Sequence, residues 1–268
     1  MFRSGKTRLL IALAIAAFSV ISYFMKSQDN PITGEAQKVD MTVEQEIALG
    51  LQSAPQMISQ YGGQYPDAQA QALVDKVGQK LVAAALPGNQ PYRFDFHLLN
   101  DSKTLNAFAL PGGQVFITYA LLSKLQGEDQ LAGVLGHEIA HVVERHSAQH
   151  VAKQQLTQGL TGAAVIASYD PNNPTASVGR AAMAAMIGNL VNMKYGRSDE
   201  LESDKGGLYY MAKAGYNPEA MVGVMEVLAA GGGAGRQAEF FSTHPNPENR
   251  VARIRETIAL MRQNGELP

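Results

Sequence analysis

The apolar positions of this chain recur mostly with a helical period. After the turn "YGGQYPD", Leu73, Val74, Val77 and Leu81 mark one face of a helix that stops near "LPGNQP". Leu131, Val134, Leu135, Val142 and Val143 draw a second stripe, on a helix opened by Glu128 and Asp129, whose charges suit its N-terminal dipole. Val251, Ile254, Ile258 and Met261 draw a third, with Asn246 and Pro247 as N-cap and first-turn residue. Thr42 and Gln45 form a capping box that opens a helix running to about Leu51. The period changes to two in "YRFDFHLLN", which predicts a strand, and His97 there reads as a pleat-face polar residue. "NAFALPGGQVFITYALL" adds two β-rich pieces around Pro111, Gly112 and Gly113. The Ala- and Met-rich stretch after His150 predicts two helices around a loop at "DPNNPTAS", with the apolar piece from Ala181 to Met193 in a core or lining a cleft. A helix follows around Glu200 to Lys213, then another ending in the mobile turn "AAGGGAGRQ". No internal repeat is visible. Strands are few and clustered, so the expected fold class is α+β, mostly α, with a small β-sheet.

The N-terminus follows a different pattern. Arg3, Lys6 and Arg8 precede an apolar run from Leu9 to Met25. Basic residues before such a run are read by export machinery and send the rest of the chain across a membrane. Residues 1–26 are therefore expected to be a signal peptide or a single membrane anchor. The polar segment 27–40 reads as a linker, and 41–268 as one folded domain.

Composition then narrows the chemistry. The net charge of −2, without long charge runs, gives no sign of a nucleic-acid partner. With no cysteine, thiol nucleophiles, disulfides and thiolate metal sites are excluded, so a metal must be held by nitrogen and oxygen.

"GHEIAHVVERHSAQH", from Gly136 to His150, holds four of the six histidines. A helix turns about 100° per residue, so His137 and His141 lie one turn apart on one face and can meet at one ion. Glu138 lies beside them, within reach of a water there. This is the H-E-x-x-H arrangement of two ligands and a general base. By the same rotation His146 and His150 face away, as surface or packing residues that could pair with each other. Glu144 returns to the ligand face and reads as a solvated glutamate. A catalytic site needs a third protein ligand. "YGRSDELESDKGG" offers Glu200, with Asp204 one turn later to hydrogen-bond a ligand imidazole; Glu202 falls opposite and reads as solvated.

"GHEIAHVVERH", "ELESD" and "THPNPENR" together resemble the gluzincin zinc metallopeptidases of the HtpX and CAAX-prenyl-protease superfamily, and most of all its exported, BepA- and LoiP-like branch with Oma-type relatives. The resemblance covers the chain from "NPITG" onward. It implies a zincin-type fold with an active-site helix and a second ligand helix. It implies one Zn2+ held by His137, His141 and Glu200, with Glu138 catalytic. It places His244 and Arg250 near the metal, either as donors to the developing oxyanion or, for His244, as a fourth ligand in a self-inhibited state. It makes Phe108, Ala109 and Leu110 an edge that receives substrate as an added strand. The implied function is hydrolysis of unfolded or misassembled cell-envelope proteins in the bacterial periplasm, free or anchored by the N-terminal segment. Two features depart from the pattern. No repeat domain follows, and no further spans appear, which argues against prenylated substrates. Two other classes stay open: a chaperone or assembly factor with a structural metal, and a binding module that gathers metal without hydrolysis.

Overall fold

The computed structural model describes residues 5–168, 194–231, 238–245 and 249–267. The readings made for "DPNNPTAS", for Ala181 to Met193, for most of the "AAGGGAGRQ" turn and for Asn246 and Pro247 lie outside these residues.

Five elements build the frame of the site. Helix α5 (Glu128–Val143) runs through the middle of the molecule. A sheet in the order β3–β5–β4 packs beside it, with β3 (Asp95–Leu99) parallel and β4 (Ala107–Leu110) antiparallel to the central β5 (Gln114–Thr118). The fifth element, helix α7 (Arg197–Lys213), crosses α5 on another side. The expected one-sided stripe on α5 understates its setting: every residue from Gln130 to Val143 is buried. A helix enclosed on all faces can carry polar groups only if they are partnered or held for chemistry.

The α5–α7 crossing is close because both helices lack side chains there. A Cβ on Gly136 would lie 3.2 Å from the Gly207 carbonyl oxygen, and one on Gly206 2.8 Å from the Ala140 Cβ. Glycine costs a helix stability relative to alanine. Here it lets two backbones approach closely enough for short acidic side chains to reach the histidines.

Around this crossing, α2 (Val43–Gln60) begins with the expected Thr42–Gln45 capping box but continues past Leu51 and through Pro55. Helix α3 (Ala68–Ala85) buries Val74, Val77 and Leu81 against the sheet and α5, as its stripe predicts. Helix α8 (Ala220–Ala230) and the short α9 (Phe240–Thr243) lead to α10 (Arg250–Gln263), which buries Ile254, Ile258 and Met261. His97 lies on the pleat face of β3, its Nε2 2.8 Å from Gln114 Oε1.

The polar segment after residue 26 contains more structure than a linker. Strands β1 (Ser27–Asp29) and β2 (Ala36–Lys38) form a hairpin seated on the end of α5. Asn30 Nδ2 donates to the Val143 carbonyl and Gln37 Nε2 to the Glu144 carbonyl, satisfying acceptors that a helix terminus leaves open. Before the hairpin, α1 (Gly5–Met25) pairs antiparallel with α6 (His146–Ser168); Ser19 meets Gly159, and Lys26 bonds Gln155. Among the described residues no helix is long and apolar enough to cross a membrane.

Candidate metal centre

Helical spacing brings His137 and His141 together as expected, their Nε2 atoms 3.1 Å apart. Glu200 reaches across from α7, with Oε2 3.6 Å from His137 Nε2 and Oε1 3.5 Å from His141 Nε2. His244, just past α9, completes a group of four donors whose atoms all lie within 4.8 Å of one another. Its Nε2 sits 3.6 Å from Glu138 Oε1. Exposure is 2% for His137, 0% for Glu138, 2% for His141 and 0% for both Glu200 and His244.

Donor geometry tests whether these residues fit a cation. Tetrahedral coordination at about 2.0–2.1 Å puts neighbouring donors about 3.4 Å apart. The separations of 3.1, 3.5 and 3.6 Å among His137, His141 and Glu200 match that spacing. Both Glu200 oxygens, both Glu138 oxygens and His244 Nε2 are buried without a hydrogen-bond partner. Buried polar atoms in such numbers are costly unless something charged completes them. The set contains only nitrogen and oxygen donors, which suits zinc and related divalent ions. The residues therefore fit the group.

Burial governs the protonation of the cluster. It lowers the pKa of His137 and drives those of His141 and His244 well down, keeping the rings neutral. It raises Glu138 to about 8, against an opposing pull from Arg250, and lifts Glu200 well above the carboxylate range. Asp204 goes the other way. Burial would raise it, but Arg250 and His137 outweigh that and hold it ionised.

Asp204 and Arg250 lock the His137 side. His137 Nδ1 donates to Asp204 Oδ1 at 3.0 Å, which leaves Nε2 as a lone pair facing the site. Arg250 Nε and Nη2 each donate to Asp204 at 2.7 Å. Its Nη1 lies 3.0 Å from Glu200 Oε2, close enough to pair charges but without an aligned hydrogen bond. Arg250 thus spends Nε and Nη2 on Asp204 and sets Nη1 beside Glu200.

The expectation for His146 fails, and the reason is local. Rotation at 100° per residue assumes one helix from Glu128 to His150. Instead α5 ends at Val143, and Arg145 adopts a left-handed φ of 56° before α6 begins. Such a conformation is uncommon for a side chain other than glycine or asparagine. Arg145 is held there by a buried ion pair with Glu46 of α2, Nε donating at 2.8 Å, and by a bond to the Met41 carbonyl. The reversal swings His146 back against the site. It is buried, with Nδ1 2.9 Å from His141 Nδ1. His150 does not pair with it but bonds Asp199 Oδ2 at 2.6 Å. Glu202 is exposed, as expected, and its Oε2 also lies 3.1 Å from His146 Nε2. Glu144 is only half-buried, near Glu35 and Glu202 and away from the four-donor group; burial raises it to about 7.

One more contact had no sequence signal. The Tyr195 ring stacks on His141 at 3.9 Å between centroids, and its hydroxyl bonds Ser147 Oγ at 3.0 Å. On the remaining side, β4 forms an edge of its sheet, with Ala109 and Leu110 buried and Phe108 stacked on Phe116. Ala109, Leu110 and His141 line a cavity of about 10 Å³. The proposed substrate edge and the histidine pair are therefore neighbours.

A family model, "Peptidase family M48", matches residues 68–258. The chain belongs to peptidase family M48. Its curated relatives include the "Beta-barrel assembly-enhancing protease" of Escherichia coli (strain K12), 32% identical over 98% of this chain and 54% of the relative. The "Mitochondrial metalloendopeptidase OMA1" of Schizosaccharomyces pombe is 31% identical over 91% of this chain and 70% of that protein. "Metalloprotease YcaL" of Escherichia coli (strain K12) is 30% identical over 69% of this chain and 71% of its own length. This M48 chain spans about half the length of the first of these relatives. The matched region contains every residue of the cluster around His137 except a partner outside it, Glu46, which anchors Arg145.

Proposed function

We propose that this M48 chain is a zinc-dependent endopeptidase acting on unfolded or misassembled proteins of the cell envelope. The observation that carries the reading is the buried group His137, His141 and Glu200, spaced as cation ligands, beside a Glu138 carboxylate with no partner of its own. An ion in that set supplies Lewis acidity toward water and a peptide carbonyl.

The chain's own residues do the rest. Glu138 takes a proton from the attacking water on one carboxylate oxygen and passes it to the departing amine. An affinity for protons near neutrality suits both transfers, and burial gives Glu138 a pKa of about 8 before any cation lowers it. Asp204 holds His137 in the tautomer that faces the site. Substrate adds as a strand along β4 at Phe108, Ala109 and Leu110, with main-chain bonding that tolerates many sequences. Replacing Glu138 with glutamine tests this: metal content should persist while casein cleavage falls at least ~100-fold. Equal cleavage by the mutant would remove the base.

His244 carries a second reading. Its unpartnered Nε2 lies within the donor group, which favours the fourth-ligand role over that of an oxyanion donor. In this role His244 plugs a resting enzyme, so His244→Ala should raise turnover. A loss of turnover would support the donor role instead. For location, we place the catalytic domain in the periplasm. Where the N-terminal segment is retained rather than cleaved as a signal peptide, helix α1 associates with the bilayer through its exposed Leu10, Phe18 and Phe24.

A further inference from the structure

We infer that His146, braced by Glu202 and Ser203, is a positioning residue that sets the tautomer and ring orientation of His141. This rests on the reading of His141 as a metal ligand.

The inference follows from counting protons along one chain of contacts. Glu202 is a carboxylate, and an ionised carboxylate only accepts. His146 Nε2, 3.1 Å from Glu202 Oε2, must therefore carry the proton of that bond. The tautomer with that proton on Nε2 leaves Nδ1 as a lone pair. That nitrogen lies 2.9 Å from His141 Nδ1, the nearer partner for its one lone pair, with Ser203 Oγ farther off at 3.3 Å. His141 Nδ1 must be the donor. Its other nitrogen, Nε2, is left as a lone pair directed at His137 Nε2 and Glu200. The opposite tautomer would set two bare Nδ1 atoms against each other at 2.9 Å and turn an N–H toward the cation site.

The two ligand histidines are thus braced by the same helix in different ways. Asp204 reaches His137 directly, whereas the acid that serves His141 stands one residue farther out and acts through an intervening imidazole. Tyr195 fixes the plane of His141 by stacking, but a ring face cannot choose between tautomers. Only His146 contacts His141 Nδ1 among the described residues.

The test is zinc affinity, measured by competition with a chromophoric chelator, together with thermal unfolding of the metal-free proteins. His146→Leu should weaken binding by ~10–100-fold, the usual cost of losing a partner of a ligand imidazole. Its metal-free unfolding temperature should stay close to the parent's. His146→Asn places an acceptor oxygen near the former Nδ1 and should recover most of the affinity. Glu202→Ala should fall between the two. Parent-like affinity in a folded His146→Leu protein would overturn the inference. If that variant does not fold, Glu202→Ala decides: parent-like affinity there overturns it, and weakened binding with unchanged unfolding supports it. Failure of the parent itself to bind zinc would instead sink the underlying reading of the site.

Discussion

The α5–α7 crossing and the α1–α6 arm lie at opposite extremes of how this chain uses apolar surface. At the crossing, side chains with charge or lone pairs are buried and wired to one another: His137 to Asp204, Asp204 to Arg250, and His141 to His146. Along the arm, large apolar side chains face outward, Leu10 at 67%, Phe18 at 72% and Met25 at 78% exposure. Folding normally does the reverse on both counts. Each inversion costs stability; the first fits a cation at the crossing, and the second underlies the proposal that the arm meets an apolar phase. The proposed chemistry and the proposed location thus rest on separate parts of the chain.

That separation can be broken experimentally. The largest effect should come from Asp204→Ala, which strands the buried Arg250 charge and releases His137. Loss of one partner from a buried pair costs about 3–5 kcal/mol, so chemical denaturation should show a drop of that size together with lost zinc binding. Next comes Gly207→Val. A side chain there would meet the His137 backbone nitrogen at 3.0 Å. Overpacking of this kind costs about 1–3 kcal/mol, and the larger result should be that Glu200 no longer reaches the histidines. A folded Gly207→Val protein with normal zinc affinity would show that the close crossing is not what assembles the site.

A pH effect should follow in size. Burial pushes the Glu138 carboxyl up to about 8 from an ordinary value near 4.5, so it is protonated at neutral pH in the metal-free protein. A raised carboxyl favours the fold below the unfolded value, and that contribution is lost as pH rises toward 8. A cation must displace the site's protons to bind, so apparent zinc affinity should increase between pH 6 and pH 8, with protons released on binding. Calorimetry in buffers of different ionisation enthalpy would measure the release. The smallest effect on chemistry should come from the arm. Serine at Leu10, Phe18 and Phe24 should lower co-sedimentation with lipid vesicles and leave casein cleavage unchanged. Reduced cleavage would contradict the division of labour.

How much of this the sequence revealed depended on whether a local period held. His137, Glu138 and His141 share one unbroken helix, and Glu200 and Asp204 share another, so spacing alone put each set on one helix turn, while the meeting of the two sets needed the family resemblance. His146 was misplaced because the same period was carried past Val143. The break there is made by Arg145 in a left-handed conformation. No glycine or proline marks it, since it is imposed by Glu46 from a distant helix. The role of Glu202 was lost with His146, and Tyr195 lies in a loop without periodicity. The hairpin at 27–38 was hidden for a related reason: its polar residues find their partners on the end of α5 rather than in water.

The central claim is that two imidazoles from α5 and one carboxylate from α7 hold a single divalent ion. Metal content per chain, measured by mass spectrometry after dialysis, tests it most directly in three proteins: the parent, Glu138→Gln and Glu200→Ala. The account predicts about one zinc per chain in the first two and a substoichiometric amount in the third. Full zinc occupancy in Glu200→Ala would contradict it.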